Sequence, residues 1–207
     1  MKTRDGRLTV ISGASRSGKT AYAVKLAGKA PRVIAYDPEM QWRTLPGWIG
    51  TDSAADFATR ALAAKAKPLR LAFTPPPGAD ARTAFELFAK VAFHLADTYG
   101  PLTIIGEELA DVSTPGKALQ WWGTLIRRGL KRGASIIAIS QRWAEADKTA
   151  IGNASEIVVF RASSADDVRY LAKKTRIPAA QIDALRPLEF VKFDTATQTA
   201  TPGKLRF

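Results

Sequence analysis

The chain has 207 residues, 46% of them hydrophobic and 24% charged, which fits one globular domain with a sizeable core. The absence of cysteine excludes disulfide bonds and thiolate metal sites, and the single histidine, His94, cannot supply the ligands of a zinc centre. The net charge of +12, from 31 Lys and Arg against 19 Asp and Glu, favours a polyanionic partner, with nucleic acid ahead of a membrane surface.

The first predicted elements are a strand, a glycine-rich loop and a helix. The β-branched run LTVIS at residues 8–12 predicts the strand, and AYAVKLAGKA at residues 21–30 has the apolar spacing of a helix. Between them, GASRSGKT fits the phosphate-loop pattern G-x-x-x-x-G-K-[ST]. Such a loop points backbone N–H groups towards a phosphate at a helix N-terminus. The alternative is a glycine-rich turn with a helix-capping serine.

The predicted nucleotide-binding residues are those of the loop itself. They are Gly13, Ala14, Ser15, Arg16, Ser17, Gly18, Lys19 and Thr20. We expect the ammonium group of Lys19 to reach the β- and γ-phosphates of ATP, and the hydroxyl of Thr20 to ligate Mg²⁺.

Further strands and helices are predicted after this motif. RVIAYD at residues 32–37 and LRLAF at residues 69–73 are apolar enough to form strands. Asp52 or Ser53 is expected to cap a helix that runs to about residue 67, and Asp80 to cap a longer helix.

A strand that ends in two carboxylates is predicted from LTIIGEE at residues 102–108. The carboxyl ends of parallel strands open onto the ligand site. We assign Glu107 to holding a water on Mg²⁺ and Glu108 to orienting and polarising the attacking water. Asp is usual at the position of Glu107, which leaves direct metal contact open, and Asp111 is the alternative. The other interpretation is a pair of solvated acids.

A basic segment and another strand come next. Residues 117–132 contain five cations and no acid: Lys117, Arg127, Arg128, Lys131 and Arg132. The apolar run ASIIAI that follows predicts a strand, and Gln141 lies at its end. The amide of Gln141 can donate to a phosphate oxygen and accept from an attacking water, so it can sense the γ-phosphate; the alternative is a glutamine that caps a turn.

The C-terminal part is predicted to hold helices and a hairpin. Ser164 is expected to cap one helix, and IPAAQIDALR to form another helical turn. EFVKFD and TPGKLRF then read as a terminal hairpin. We expect an α/β fold with a mostly parallel central sheet flanked by helices. The domain is predicted as a single one over residues 1–207, with its core at about 8–174.

The motifs together resemble the FtsK–HerA superfamily of P-loop ATPases over most of residues 8–174. The resemblance rests on Gln141-Arg142, Asp147-Lys148 and Phe160-Arg161, with the basic stretch IRRGLKRG before them and SSADDVRYLAKK after them. Trp143 stands where proline is common. The chain is most similar to the genome-packaging ATPases of icosahedral viruses with an internal membrane, since it is small and lacks appended domains.

The resemblance implies a P-loop NTPase fold of the RecA type, with an additional strand and a catalytic glutamate. It also implies hydrolysis of ATP, with Mg²⁺ as cofactor, driving double-stranded DNA through a homo-oligomeric ring into a preformed capsid. An arginine from a neighbouring subunit is expected at the γ-phosphate; the candidates are Arg127, Arg128 and Arg132, with Arg161 next. Capsid or membrane-vertex proteins are further expected partners.

The expected location is the host cytoplasm or the packaging vertex of a virion, because no apolar run is long enough for a transmembrane segment and residues 1–10 lack a signal peptide's apolar stretch. Two other functions remain open. A small-molecule kinase would also carry GASRSGKT but would not need the two glutamates, the sensor and the basic segment together. An assembly or secretion ATPase of the zonula occludens toxin type shares the motifs and usually continues into a membrane span.

Overall fold

The computed structural model describes residues 6–116 and 118–206. Its strands are β1 (Leu8–Ser12), β2 (Arg32–Tyr36), β3 (Ile49–Thr51), β4 (Leu69–Phe73), β5 (Leu102–Gly106), β6 (Ala134–Ser140), β7 (Glu156–Phe160), β8 (Glu189–Asp194) and β9 (Thr199–Lys204). Its α-helices are α1 (Lys19–Ala27), α2 (Ala54–Ala64), α3 (Ala81–Tyr99), α4 (Leu109–Val112), α5 (Gln120–Thr124), α6 (Lys148–Gly152), α7 (Ala165–Thr175) and α8 (Ala179–Asp183). A π-helical turn spans Leu125–Gly129.

The strands form a mostly parallel sheet in the order β3-β4-β2-β5-β6-β1-β7-β8-β9. β2 pairs in parallel with β4 and β5, and β1 pairs in parallel with β7. β8 runs antiparallel to both β7 and β9. The predicted α/β fold, with a mostly parallel sheet and a C-terminal hairpin, is confirmed. No helix within the described ranges is long and apolar enough to cross a membrane.

The contacts of the chain cluster into two units. The first unit comprises residues 6–7, Lys29–Glu107 and Ala118–Ile136, and the second comprises the described residues of Leu8–Gly28, Glu108–Lys117 and Ile137–Phe207. The single domain over residues 1–207 stays a prediction.

The first unit is built around β2, β4 and α3. Every residue of β2 is buried, as expected for a parallel strand covered on both faces. Tyr36, the last residue of β2, packs its ring against Phe85 of α3 at a centroid distance of 5.0 Å. α3 begins where predicted, because the carboxylate of Asp80 accepts a hydrogen bond from the backbone N–H of Thr83 at 3.0 Å.

The second unit is built around β1, β7 and the C-terminal hairpin. All residues of β1 and β7 are buried. Ser164 caps α7 as predicted, accepting from the backbone N–H of Asp167 at 3.1 Å. In the hairpin, Glu189 lies opposite Lys204 and Asp194 opposite Thr199, so the turn comprises residues 195–198.

Several boundaries differ from the sequence predictions. β3 and α4 were not predicted, because elements of 3 and 4 residues show no full period of either pattern. α2 ends at Ala64 instead of about residue 67, and Ser53 is the residue that caps it. The second hairpin strand is Thr199–Lys204, earlier than TPGKLRF at residues 201–207; residue 207 lies outside the described residues.

Candidate functional site: a phosphate loop and two strand ends

The glycine-rich loop lies between β1 and α1, as the sequence predicts. α1 has Gly18 at its N-cap, with φ 115° and no side-chain cap. A residue with a Cβ is strained at this φ, so glycine is required for the chain to enter the helix here. The backbone N–H of Ala14 donates to the carbonyl of Arg161 at 2.7 Å, which ties the start of the loop to the end of β7. A helix N-terminus without a side-chain cap favours an anion.

Lys19 lies against this loop. Its side chain is buried, and its Nζ donates to the carbonyl oxygen of Ala14 at 2.9 Å. Two hydroxyl oxygens nearby in the chain, Oγ of Ser12 and Oγ of Ser17, are buried and have no hydrogen-bond partner among the described residues. Buried hydroxyls are normally satisfied, so these two atoms fit a site whose polar partners come from a ligand.

Glu108 and Gln141 are brought together at the ends of β5 and β6. Nε2 of Gln141 donates to Oε1 of Glu108 at 2.9 Å. Glu108 adopts a left-handed backbone conformation, with φ 48° and ψ 50°. A non-glycine residue held in this region is strained, and such strain is common at functional sites. Both side chains are partly exposed, so they can reach a ligand and water.

Asp111, the alternative to Glu107, forms an ion pair with Arg142. The guanidinium of Arg142 forms ion pairs with Asp111 at 3.4 Å and with Glu145 at 3.0 Å, and all three side chains are exposed. Exposed pairs of this kind contribute little to stability. Asp111, the alternative to Glu107, therefore lies in a solvated pair beside the sensor position.

Trp143 and Asp147 anchor the loop that follows β6. The side chain of Trp143 is fully buried, and its indole Nε1 donates to the carbonyl of Ile11 in β1 at 3.0 Å. Asp147 is also buried: its carboxylate accepts from the N–H of Thr149, and its own N–H donates to Oγ of Ser113. These anchors fix the loop after β6, so Gln141 and Arg142 keep a defined position at its start.

Glu107, in the first unit, is held by a residue that sequence reasoning did not assign. Oε1 of Glu107 accepts from the indole Nε1 of Trp42 at 2.8 Å, and both side chains are buried. The carboxylate of Asp37, at the end of β2, accepts backbone hydrogen bonds from Gln41, Trp42 and Arg43 at 2.8 to 3.0 Å. The available signal was an Asp-Pro step at a strand end, but nothing local indicated a bond across 65 positions.

Three of the arginines proposed to reach the γ-phosphate of a neighbouring subunit, the candidate finger arginines Arg127, Arg128 and Arg132, lie in the first unit. Arg127 and Arg128 are in the π-helical turn and are exposed, and Arg132 follows it. Arg132 forms an ion pair with Asp97, and its guanidinium lies 5.7 Å from the ring centre of Phe93. Arg132 thus has an intramolecular role that the sequence did not reveal.

The remaining basic candidates are Lys131, Arg161 and Lys117. Lys131 is exposed next to Arg132, and Arg161 is exposed at the end of β7 in the second unit. Lys117 lies outside the described residues.

The donor set fits Mg²⁺ bound together with a nucleotide. No cluster of three or more His, Cys, Asp or Glu residues that could hold a metal occurs within residues 6–116 and 118–206. Mg²⁺ needs no such cluster when phosphates and waters fill most of its octahedral shell and the protein adds one or two oxygens. Within the second unit, the hydroxyl of Thr20 is an oxygen of that type.

These elements define the class: the chain has the fold of the P-loop NTPases. The genome packaging NTPase B204 of Sulfolobus turreted icosahedral virus 2, in complex with AMPPCP, superposes with a TM-score of 0.77 at 16% identity, over 99% of this chain and 100% of that one. The N-terminal domain of zonular occludens toxin from Neisseria meningitidis gives a TM-score of 0.53 at 11% identity, over 98% and 94% of the two chains.

A relative in sequence shows the family. Protein P9 of Pseudoalteromonas phage PM2 is 30% identical over 177 residues, which are 85% of this chain and 78% of that protein. The chain belongs to the family of that phage protein. No protein-family model matches the chain.

Proposed function

We propose that this protein is an ATP-hydrolysing motor that translocates double-stranded DNA and packages a viral genome into a preformed capsid. The observation that carries the proposal is the bond of 2.9 Å between Gln141 and the strained Glu108, in the same unit as the phosphate loop. The similarity of the fold to that of B204, a genome packaging NTPase, and the sequence similarity to a phage protein support the same function.

The chemistry follows from the roles of the side chains. Backbone N–H groups of the loop and the ammonium of Lys19 hold the phosphates of ATP. The carboxylate of Glu108 accepts a proton from the attacking water and orients it towards the γ-phosphorus. Thr20, and Glu107 through a water, would hold Mg²⁺, and the ion would neutralise charge on the phosphate oxygens.

The proposed role of Gln141 is to couple the state of the nucleotide to Glu108. Nε2 of Gln141 carries two N–H groups, and a turn of the side chain that aims them at a γ-phosphate oxygen breaks the bond to the carboxylate of Glu108. When the γ-phosphate takes this donor, Glu108 is released to accept from water. The bond between Gln141 and Glu108 is then the resting arrangement of the site.

The DNA partner is inferred from charge. The net charge is +12, and the exposed cations Arg127, Arg128 and Lys131 follow one another within a short segment. Cationic segments gain affinity for DNA by releasing its counterions. A homo-oligomeric ring would enclose the duplex, and an arginine from the neighbouring subunit would stabilise the charge that develops on the γ-phosphate. Host cytoplasm or the packaging vertex is the proposed location, with capsid or membrane-vertex proteins as partners.

The test is turnover of ATP with and without DNA. We expect turnover that requires Mg²⁺, is absent in Lys19→Ala, and rises on addition of double-stranded DNA. Heparin at equal charge is the control for a nonspecific polyanion effect. ATP turnover that DNA leaves unchanged would contradict the translocase function, and no turnover under any condition would contradict the ATPase.

A further inference from the structure

The C-terminal hairpin contacts the phosphate loop through the backbone. The N–H of Leu188, just before β8, donates to the carbonyl of Ser17 at 3.0 Å. The N–H of Leu205, just after β9, donates to the carbonyl of Leu188 at 2.9 Å. We call Leu188, β8, β9 and Leu205 the hairpin support, because the two ends of the hairpin meet beneath Ser17.

The bond to Ser17 fixes the direction of a donor in the loop. In a planar trans peptide the C=O and the N–H point to opposite sides. Because the carbonyl of Ser17 points to Leu188, the N–H of Gly18 in the same peptide points away from the hairpin. A loop that binds phosphate depends on such N–H groups converging on one side.

Side chains of the hairpin support also pack against the loop. A Cβ built on Gly18 would lie 3.0 Å from Cδ1 of Leu205 and 3.2 Å from Cδ2 of Leu188, so these side chains lie against the loop's backbone. Leu205 is 5% exposed. Leu188 has a positive φ of 69°, which is unfavourable for leucine and is held by its surroundings.

A third connection runs through aromatic rings to α1. Phe190 of β8 packs against Tyr22 of α1 at 5.0 Å and against Phe160 of β7 at 5.4 Å between ring centres. α1 starts at Lys19, so the hairpin contacts both the loop and the helix whose N-terminus faces the phosphates. Burial of Tyr22 in this cluster raises its pKa to about 12, with the charge of Glu156 as a smaller cause.

From these contacts we infer that the hairpin support holds the phosphate loop in its nucleotide-binding shape, with Leu188 and Leu205 as positioning residues. The inference rests on the proposed binding of ATP by this loop. It assigns to Leu188 and Leu205, the two residues of the hairpin support that pack against Gly18, a role in affinity for phosphate, in addition to completing the sheet.

The test measures binding and not turnover. The full chain and its variants are titrated with a fluorescent ATP analogue in EDTA, and inorganic pyrophosphate is used as a competitor. Leu205→Ala removes the contact with Gly18 and is expected to weaken the binding of both ligands by about tenfold. Val191→Ala is the matched control, since Val191 is also buried and lies in β8 but pairs with Val159 of β7. It should change binding by less than about twofold.

A second variant distinguishes an effect on binding from a loss of folding. Leu188→Gly deletes the contacting side chain, keeps the N–H that donates to Ser17, and is compatible with a positive φ, so the fold should survive. We expect weaker binding of pyrophosphate with little change in thermal midpoint. If Leu205→Ala and Leu188→Gly bind like wild type, or if Val191→Ala weakens binding as much as they do, the inference is overturned. If the wild-type chain binds neither ligand, the proposed function fails first.

Discussion

The indole Nε1 of Trp42 donates to Oε1 of Glu107 at 2.8 Å inside the first unit. Trp42 is 1% exposed and Glu107 is 2% exposed, so the bond is shielded from water. The carboxylate of Asp37 holds the backbone around Trp42 through three N–H groups, which fixes the donor in place. A carboxylate with one oxygen fixed has a defined orientation, as residues that align metal-bound waters require.

We therefore expect Trp42→Phe to impair the use of Mg²⁺. Phenylalanine preserves an aromatic ring but has no N–H, so Glu107 loses its alignment. Loss of such a supporting bond typically costs about 10- to 100-fold in metal affinity or activity. The concentration of Mg²⁺ that half-saturates turnover should rise, and the gain in affinity for an ATP analogue on adding Mg²⁺ should shrink.

Trp48→Phe is the control for this experiment. Trp48 packs its ring 5.1 Å from that of Trp42, so the substitution also alters the aromatic pair. It should leave the dependence on Mg²⁺ close to wild type. Equal Mg²⁺ dependence in Trp42→Phe and wild type would show that Glu107 does not act through this bond.

A second prediction separates binding from chemistry in the loop and at Glu108. Lys19→Ala should abolish binding or turnover of ATP, since it removes the ammonium from the phosphates. Glu108→Gln should keep ATP bound and reduce turnover by roughly 10² or more, as expected for loss of a general base. Filter binding and single-turnover hydrolysis measure the two effects. Unchanged turnover in Glu108→Gln would move the role to Glu107 or Asp111.

A third prediction concerns Gln141, whose amide donates to Glu108. If this amide senses the γ-phosphate, Gln141→Ala should slow basal hydrolysis and lose stimulation by DNA in larger proportion. Arg142→Ala is the matched control, because Arg142 is the next residue but pairs with exposed acids. The measurement is the ratio of turnover with DNA to turnover without it. A fall of both rates by the same factor would mean that Gln141 only positions water.

The predicted strands and caps were those with strong local signals. β1 and the loop could be predicted because a buried strand, glycines and a helix follow one another in the sequence. The cap at Asp80 could be predicted because its carboxylate accepts from a backbone N–H only three residues later. The bond from Trp42 to Glu107 and the contact of Leu205 with Gly18 join residues far apart in the chain. Such contacts depend on how the elements pack, and no periodic pattern predicts them. The roles of the site residues remain predictions that the variants above test.

The last prediction asks which basic residues contact DNA and which serve a neighbouring subunit. A residue that neutralises a phosphate adds roughly 0.9 to the slope of log affinity against log salt concentration. We expect alanine variants of Lys117 and Lys131 to reduce this slope. Replacement of a finger arginine by alanine should instead leave the affinity for DNA intact. In mixtures the variant should inactivate wild-type subunits, because one defective interface stalls its neighbour.

We expect the alanine variant of Arg128 or Arg132 to lower the activity of mixtures with wild type more steeply than in proportion to the mutant fraction. The alanine variant of Arg127 is tested in parallel. Arg132 needs its own control, because its ion pair with Asp97 gives it a structural role. Asp97→Asn releases the arginine without removing it, so a structural effect of Arg132→Ala should appear in Asp97→Asn as well, and an effect on the neighbouring site should not. Activity is measured as a function of mutant fraction. Linear loss for all variants, in a preparation that stays monomeric with DNA and ATP, would contradict the ring and favour a kinase.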